Sequence, residues 1–232
     1  MPTAAFEGAC PTSSVDALLG LARERAAGRE PSPSPANWLP NVESIPLPSR
    51  KRPEDILDGI IKAMRDDGGV EVTYQSMTSP TGSVRIITPH ALVETHGRWH
   101  VRAYCHKRDQ FLDFVLSRFA KIHERKSSGK GQRADEDWNT FVELQLVPLP
   151  ELNSGQRTAV ADDYQMRDSI LQLSCRRALT FYTLQALGVE LRPSGRAISP
   201  LLELANVAAF DEHQLPKHDW LERMTAEKGQ AR

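Results

Sequence analysis

Arg98-Trp99-His100-Val101-Arg102-Ala103-Tyr104 is the stretch whose residue types and spacing most invite chemistry. On an extended strand successive side chains alternate between faces, so His100, Arg102 and Tyr104 share one face and Trp99, Val101 and Ala103 the other. The second set suits a core. The first places an imidazole, a guanidinium and a phenol side by side, groups that hold phosphate and stack on a base; it equally suits the solvated outer face of a curled sheet. From Arg98 to Arg133 there are ten Lys/Arg against three acids, Asp109, Asp113 and Glu124. Catalytic constellations are missing: there is no G-x-S-x-G, P-loop, G-x-G-x-x-G or H-E-x-x-H. Cys105 and His106 are neighbours on a strand and point to opposite faces, so they share no proton easily. The carboxylate pairs Asp66-Asp67 and Glu136-Asp137 fall in turn or linker settings and read as solvated charge. No enzyme, cofactor or metal site is expected.

The elements that must position these residues follow from the pattern. Pro53, with Glu54 and Asp55 behind it, opens a helix whose apolar stripe is Ile56, Leu57, Ile60, Ile61 and Met64, closed by Asp66-Asp67-Gly68-Gly69. The period then switches to two over Val70, Val72 and Tyr74. Turn chemistry at 79–82, 96–97 and 107–109 separates further strands at Val84 to Val93 (interrupted near Pro89), Trp99 to Tyr104 and Phe111 to Val115. Residues 127–132 read as a flexible polar link. Beyond it come a strand from Phe141 to Val147, a helix opened by the Asn153/Gln156 capping box, a strand from Ser169 to Cys175, a helix from Arg176 to Leu187 closed by Gly188, and a short strand at Leu201 to Leu204. Before residue 53 the chain offers a short helix over Ser14 to Arg25 and a proline-rich connector over 27–50.

Composition bounds the rest. The chain has 232 residues, 25% charged and 40% hydrophobic, with a net charge of −1, enough for a real core and against a uniformly basic nucleic-acid coat. No apolar run reaches the ~18 residues of a membrane helix, and the first residues lack a signal-peptide pattern. Cys10, Cys105 and Cys175 form no C-x-x-C pair. The chain therefore reads as cytoplasmic, without disulfide framework or structural zinc.

Several of these stretches resemble a WYL domain. Val70-Glu71-Val72-Thr73-Tyr74-Gln75-Ser76 and Arg85 to Val93 resemble its first half; Arg98 to Cys105 sits where the naming tripeptide belongs, with His100 and Val101 in place of Tyr and Leu; Phe111 to Phe119 resembles the closing strand and its arginine. The histidine variant looks most like the BREX- and CBASS-associated repressors BrxR and CapW. The resemblance covers 53–126 strongly and 138–187, with Asp162 to Met166 and Arg176 to Leu179, more weakly. It implies a mainly β plus α+β architecture: an Sm-like, SH3-type β-barrel (53–126) preceded by a helix, a linker (127–137), a small α+β dimerisation extension (138–215) and a tail (216–232). Residues 1–52 read as a helix and connector remaining from a winged helix-turn-helix domain, so duplex DNA is expected as a partner only where that domain is supplied.

Carried over position by position, the family's ligand surface falls on Tyr74, Ser76, Arg85, His90, His100, Arg102 and Arg118. Arg85, Arg102 and Arg118 offer forks to phosphate, Tyr74 and Ser76 hydroxyls, and the histidines donors or stacking planes. Each has another use: Tyr74 shares the alternation that buries Val70 and Val72, Ser76 serves to cap a turn, His90 to bond a neighbouring carbonyl, Arg118 to pair with Asp113. Arg176 and Arg177, at an expected helix start, invite an anionic partner or serve as exposed surface. The expected function is the sensing and homodimerising part of a repressor of a phage-defence operon, bound by a nucleotide or single-stranded nucleic acid. The competing reading is an accessory module without DNA-reading activity that heterodimerises with a full-length regulator.

Overall fold

The structure, a computed structural model, describes residues 51, 53–77, 79, 81–95 and 98–217. The helix expected over 14–25, the connector 27–50 and all but the start of the tail lie outside the described residues. The first helix, α1, spans Glu54–Arg65, with Glu54 and Asp55 in its first turn and Lys62 and Arg65 in its last, each sign complementing the dipole. It buries Ile56, Ile60 and Ala63, while Ile61 is 45% exposed. At 100° per residue Ile61 stands well away from the centre of that stripe, which the expected stripe had included. Asp67, with φ 47°, makes the left-handed turn that ends the helix, and the Gly68 amide bonds the Ala63 carbonyl at 2.8 Å.

Five antiparallel strands follow: β1 Gly69–Tyr74, β2 Ser83–Thr95, β3 Arg98–Cys105, β4 Gln110–Val115 and β5 Phe119–Lys126. They lie in the order β4-β3-β2-β1-β5. A single three-residue 3-10 turn, Leu116–Arg118, joins β4 to β5 at opposite edges of the sheet, so the sheet has to curl. Val70, Val72, Ile87, Val101, Ala103 and Phe114 face inward with the α1 stripe to form one core. The expected barrel does not close, because β4 and β5 do not pair. At that seam the Val115 amide donates instead to the Tyr74 hydroxyl at 3.0 Å. The closing strand is β5, a separate element beyond Arg118 rather than the continuation of Phe111 to Phe119.

Pro89 does not break β2. It sits at a bulge: Pro89 opposes Ala103 and Ala91 opposes Arg102, leaving His90 as the inserted residue. A proline has no amide to give to the ladder, and a bulge is one of the few interior strand positions that tolerates it.

The second sheet has the order β7-β6-β10-β9-β8, with β6 Phe141–Pro148, β7 Leu171–Arg176, β8 Glu190–Leu191, β9 Ala197–Ile198 and β10 Leu202–Leu204. Helices α2 Glu136–Asn139, α3 Ser154–Asp163 and α4 Thr180–Ala186 accompany it. The capping box at Asn153 and Gln156 is formed in both directions, and Leu144, Leu146, Leu184, Leu202 and Leu204 make its core. Arg176 ends a strand and Arg177 begins a 3-10 turn, so neither opens a helix as expected. No described helix is long and apolar enough to cross a membrane.

The polar link of 127–132 is fastened to the first sheet. The Gly129 amide donates to Thr88 Oγ1 at 2.7 Å, and a side chain at 129 would meet the Tyr104 ring at 2.6 Å. Gly69 is equally constrained, since a Cβ there would lie 2.3 Å from the Ser127 carbonyl oxygen. That neighbour is backbone and has no rotamer to give way. Gly69→Ala should therefore cost about 1–3 kcal/mol of unfolding free energy, measured by urea titration. Gly155→Ala, in the open first turn of α3, should cost nothing. Equal stability of the two variants would contradict this packing.

Candidate functional site

The seven residues expected to form one ligand surface fall into two groups. Tyr74, Ser76, Arg85 and Arg118 gather at one corner of the first sheet. Ser83 opposes Tyr74, which opposes Phe119 on its other side, next to Arg118. Arg85 Nε donates to Ser83 Oγ at 3.1 Å, and the Gln75 amide bonds the Arg118 carbonyl at 3.0 Å. Tyr74 itself is buried, its ring edge-on to Phe114 and Phe119 at 5.0 and 5.1 Å, so its role is core and seam. Ser76 Oγ accepts from the Ser79 amide at 2.9 Å and caps its turn. Arg85 and Arg118 are half-buried, and among the described residues neither pairs with a carboxylate. Arg118 is not the partner of Asp113, whose oxygens go to Arg102 and Tyr182.

His90, His100 and Arg102 form the second group, on the outer face of β2 and β3 with Tyr104. The alternation assigned to β3 is correct, but that face is covered from within the chain. Arg102, 6% exposed, donates from Nε and Nη2 to the two oxygens of Asp135 at 2.8 and 3.0 Å, and from Nη1 to Asp113 at 3.3 Å. The bulge aims His90 at the same carboxylate, Nε2 lying 3.0 Å from Asp135 Oδ2. A carboxylate only accepts, so Nε2 carries the proton. The ring stands edge-on to Phe111 and Trp138. His100 lies against the Tyr182 ring at 4.9 Å. Tyr104 donates to Asp109, and Lys130, which also bonds Asp109, sits 5.2 Å over the Tyr104 ring.

Asp135 is the residue that the sequence reading missed. It caps α2 by accepting from the Trp138 amide at 3.2 Å, and the signal for it was an Asp directly before an acidic first turn. Glu136 and Asp137 are not simply solvated either: Asp137 Oδ1 accepts from Arg177 Nε at 2.5 Å, and Glu136 lies 3.9 Å from the same guanidinium. Arg177 thus meets its anions inside the chain. Arg176 stacks over Trp138 and Phe141, at 4.7 and 4.8 Å to the ring centres.

The two carboxylates on Arg102 differ electrostatically. Burial pushes the Asp135 carboxyl up, but hydrogen bonds from His90 and Arg102, with the guanidinium charge, outweigh it and hold the group well below the usual carboxylate range. For Asp113 burial wins, and the pull of Arg102 and Tyr182 offsets only part of it. Burial also raises the Tyr182 phenol, reinforced by Asp113, so it stays a donor.

Two family models match the chain: the WYL domain over residues 55–124, which holds α1 and the first sheet, and the BrxR transcriptional regulator C-terminal dimerization domain over 141–210, which holds the second. The chain is a WYL-domain protein with a BrxR-type dimerization domain. It is 41% identical over 192 residues to the DNA-binding transcriptional repressor CapW of Pseudomonas aeruginosa, covering 81% of this chain and 63% of that protein. To CapW of Escherichia coli (strain KTE188) it is 38% identical over 160 residues, 69% of this chain and 54% of that one. The chain thus spans somewhat over half the length of these relatives. Among solved structures, the proteasome accessory factor PafBC of Arthrobacter aurescens aligns with 78% of this chain and 28% of that one, at 17% identity and a TM-score of 0.32.

In this WYL protein the charge on Asp135 stabilises the folded chain and that on Asp113 opposes folding. With its pKa depressed, Asp135 contributes stability that is present above the ordinary carboxylate range and lost as pH falls through it. Asp113, with its pKa raised, has the opposite sign: its cost appears as pH rises past that range. Asp135→Asn should lower stability at pH 7 by about 3 kcal/mol, the scale of breaking a buried pair, and Asp113→Asn by less than about 1 kcal/mol. The gap should narrow near pH 3. Urea titrations at both pH values check this; a larger cost for Asp113→Asn would contradict it.

Proposed function

We propose that the chain is the ligand-sensing and homodimerising portion of a DNA-binding transcriptional repressor of a phage-defence operon, and that its ligand is a nucleotide or a single-stranded nucleic acid held at the Arg85/Arg118 corner. The observation that carries this reading is the contrast between the two groups of cations. Arg102 is saturated by carboxylates, whereas Arg85, bonded to the Ser83 hydroxyl, and Arg118 stand half-buried without an acid partner among the described residues. A half-buried guanidinium with no carboxylate on its fork is prepared for a phosphate. The dimerization-domain match supports two copies acting together, and the relatives' name supports repression of DNA. Contact with duplex DNA falls to a winged-helix domain. Ligand would act by binding one arrangement of the dimer more tightly than another.

Arg85→Ala and Arg118→Ala should each weaken binding of a labelled ten-nucleotide oligothymidylate about tenfold, the worth of one charged hydrogen-bonded contact. Each should also reduce the slope of log affinity against log salt by about 0.7. Fluorescence anisotropy from low to high salt measures both. Affinity that ignores both substitutions and salt would overturn the reading.

A further inference from the structure

Beside the covered face of β3 lies a cleft of about 630 Å³, bounded by β4, the 130–137 segment and the start of α4. That volume falls within the range of small-molecule sites. Phe111 and Phe181 give it aromatic walls, and Arg102, Lys130 and Arg177 supply cations from the first sheet, the connecting segment and the 3-10 turn after β7. Every one of those cations is held by a carboxylate of the same chain. Asp135 and Asp113 take Arg102, Asp137 and Glu136 take Arg177, and Asp109 takes Lys130 at 3.0 Å. Three of these five acids, Asp135, Glu136 and Asp137, are consecutive residues on one turn.

We propose that this cleft is a second nucleotide-phosphate site, closed in the absence of ligand by the chain's own Asp135–Asp137 turn. The inference shares the ligand class of the reading above but uses none of its residues. The two ends of the turn are held differently. Asp135 is buried and gripped by four donors, whereas Asp137 and Glu136 are 43% and 90% exposed. The Arg177 end is the latch: the pair is half-exposed, 34% at Arg177 and 43% at Asp137, and partly screened, and a phosphate brings more charge and a third acceptor oxygen to the same fork. Opening the latch reaches the second sheet directly. The Arg177 amide bonds the Thr140 carbonyl at 2.8 Å, and Arg176 Nη1 bonds the Trp138 carbonyl at 2.5 Å, so the segment that carries the turn is tied to the end of β7.

The test uses the full chain, two probes and one charge-matched control. ATP without metal and labelled ten-nucleotide oligothymidylate are titrated against wild type, Glu136→Gln/Asp137→Asn, the same pair with Arg177→Ala, and Asp162→Asn/Asp163→Asn. The control removes the same two charges from the exposed end of α3. Unlatching should tighten at least one probe about tenfold. Adding Arg177→Ala should abolish the gain, and the control should change affinity less than twofold. A gain for ATP alone assigns the cleft to a free nucleotide, a gain for the oligonucleotide assigns it to a strand, and either supports the proposal. An unlatched variant that binds like the control, or a gain that survives Arg177→Ala, overturns it. Because the comparison is with the control, its failure is distinguishable from that of the Arg85/Arg118 corner, which is read from substitutions at those two positions.

Discussion

A guanidinium buried on a strand must bring its own anion into the interior, since an unpaired charge there costs far more than the fold can carry. Arg102 imposes that condition. β3 is covered on both faces, with Val101 and Ala103 packed inward and His100, Arg102 and Tyr104 buried outward. The carboxylate that meets Arg102 most closely comes from 33 residues further along the chain. The path of 127–135 across the outer face is therefore dictated. Thr88 and Tyr104 receive Gly129, Lys130 covers the Tyr104 ring, and the turn at Asp135 delivers α2 and then β6 beside the first sheet. Tyr182, reaching from α4 to Asp113, joins the second sheet to the same buried group.

The arrangement separates two uses of positive charge on one sheet. β2 carries both: Arg85 near its start belongs to the open corner, and His90, five residues along, belongs to the clamp. The bulge at Pro89 marks the boundary, adding the residue that lets His90 join Arg102 on one carboxylate. On the proposed function, a ligand at the corner pulls on the strand whose other half grips the connection to the dimerization domain. On that reading the 13 residues of β2 form the physical link between sensing and assembly.

Much of this was legible in the residues and some of it was not. Patterns that depend on neighbours in sequence read well: the α1 stripe, the β1 alternation, the Asn153/Gln156 box, the division of β3 into two faces. The WYL resemblance placed β1 to β4 in order along the chain but took Phe111 to Phe119 for the closing strand, which is β5 beyond it. What failed depended on distant partners. The barrel was expected closed because nothing local shows that the Tyr74 hydroxyl takes the Val115 amide at the seam. The link at 127–132 read as flexible because Ser, Gly and Lys are what loops contain, and only the close approach at Gly129 shows otherwise. Arg102 was expected to face a ligand because its carboxylate, Asp135, stood in a segment dismissed as solvated. Among the site residues, local reasoning gave the right type of group and could not say which anion each would meet.

A double-mutant cycle with Arg102→Met and Asp135→Leu, followed by urea unfolding at pH 7, measures how firmly the Arg102–Asp135 pair fastens the connecting segment to the sheet. Each single change takes from a buried charge its closest partner, while the double change removes both. The account predicts a coupling energy of about 3 kcal/mol or more, with the double variant more stable than either single one. Single costs that simply add, within about 0.5 kcal/mol, would contradict it.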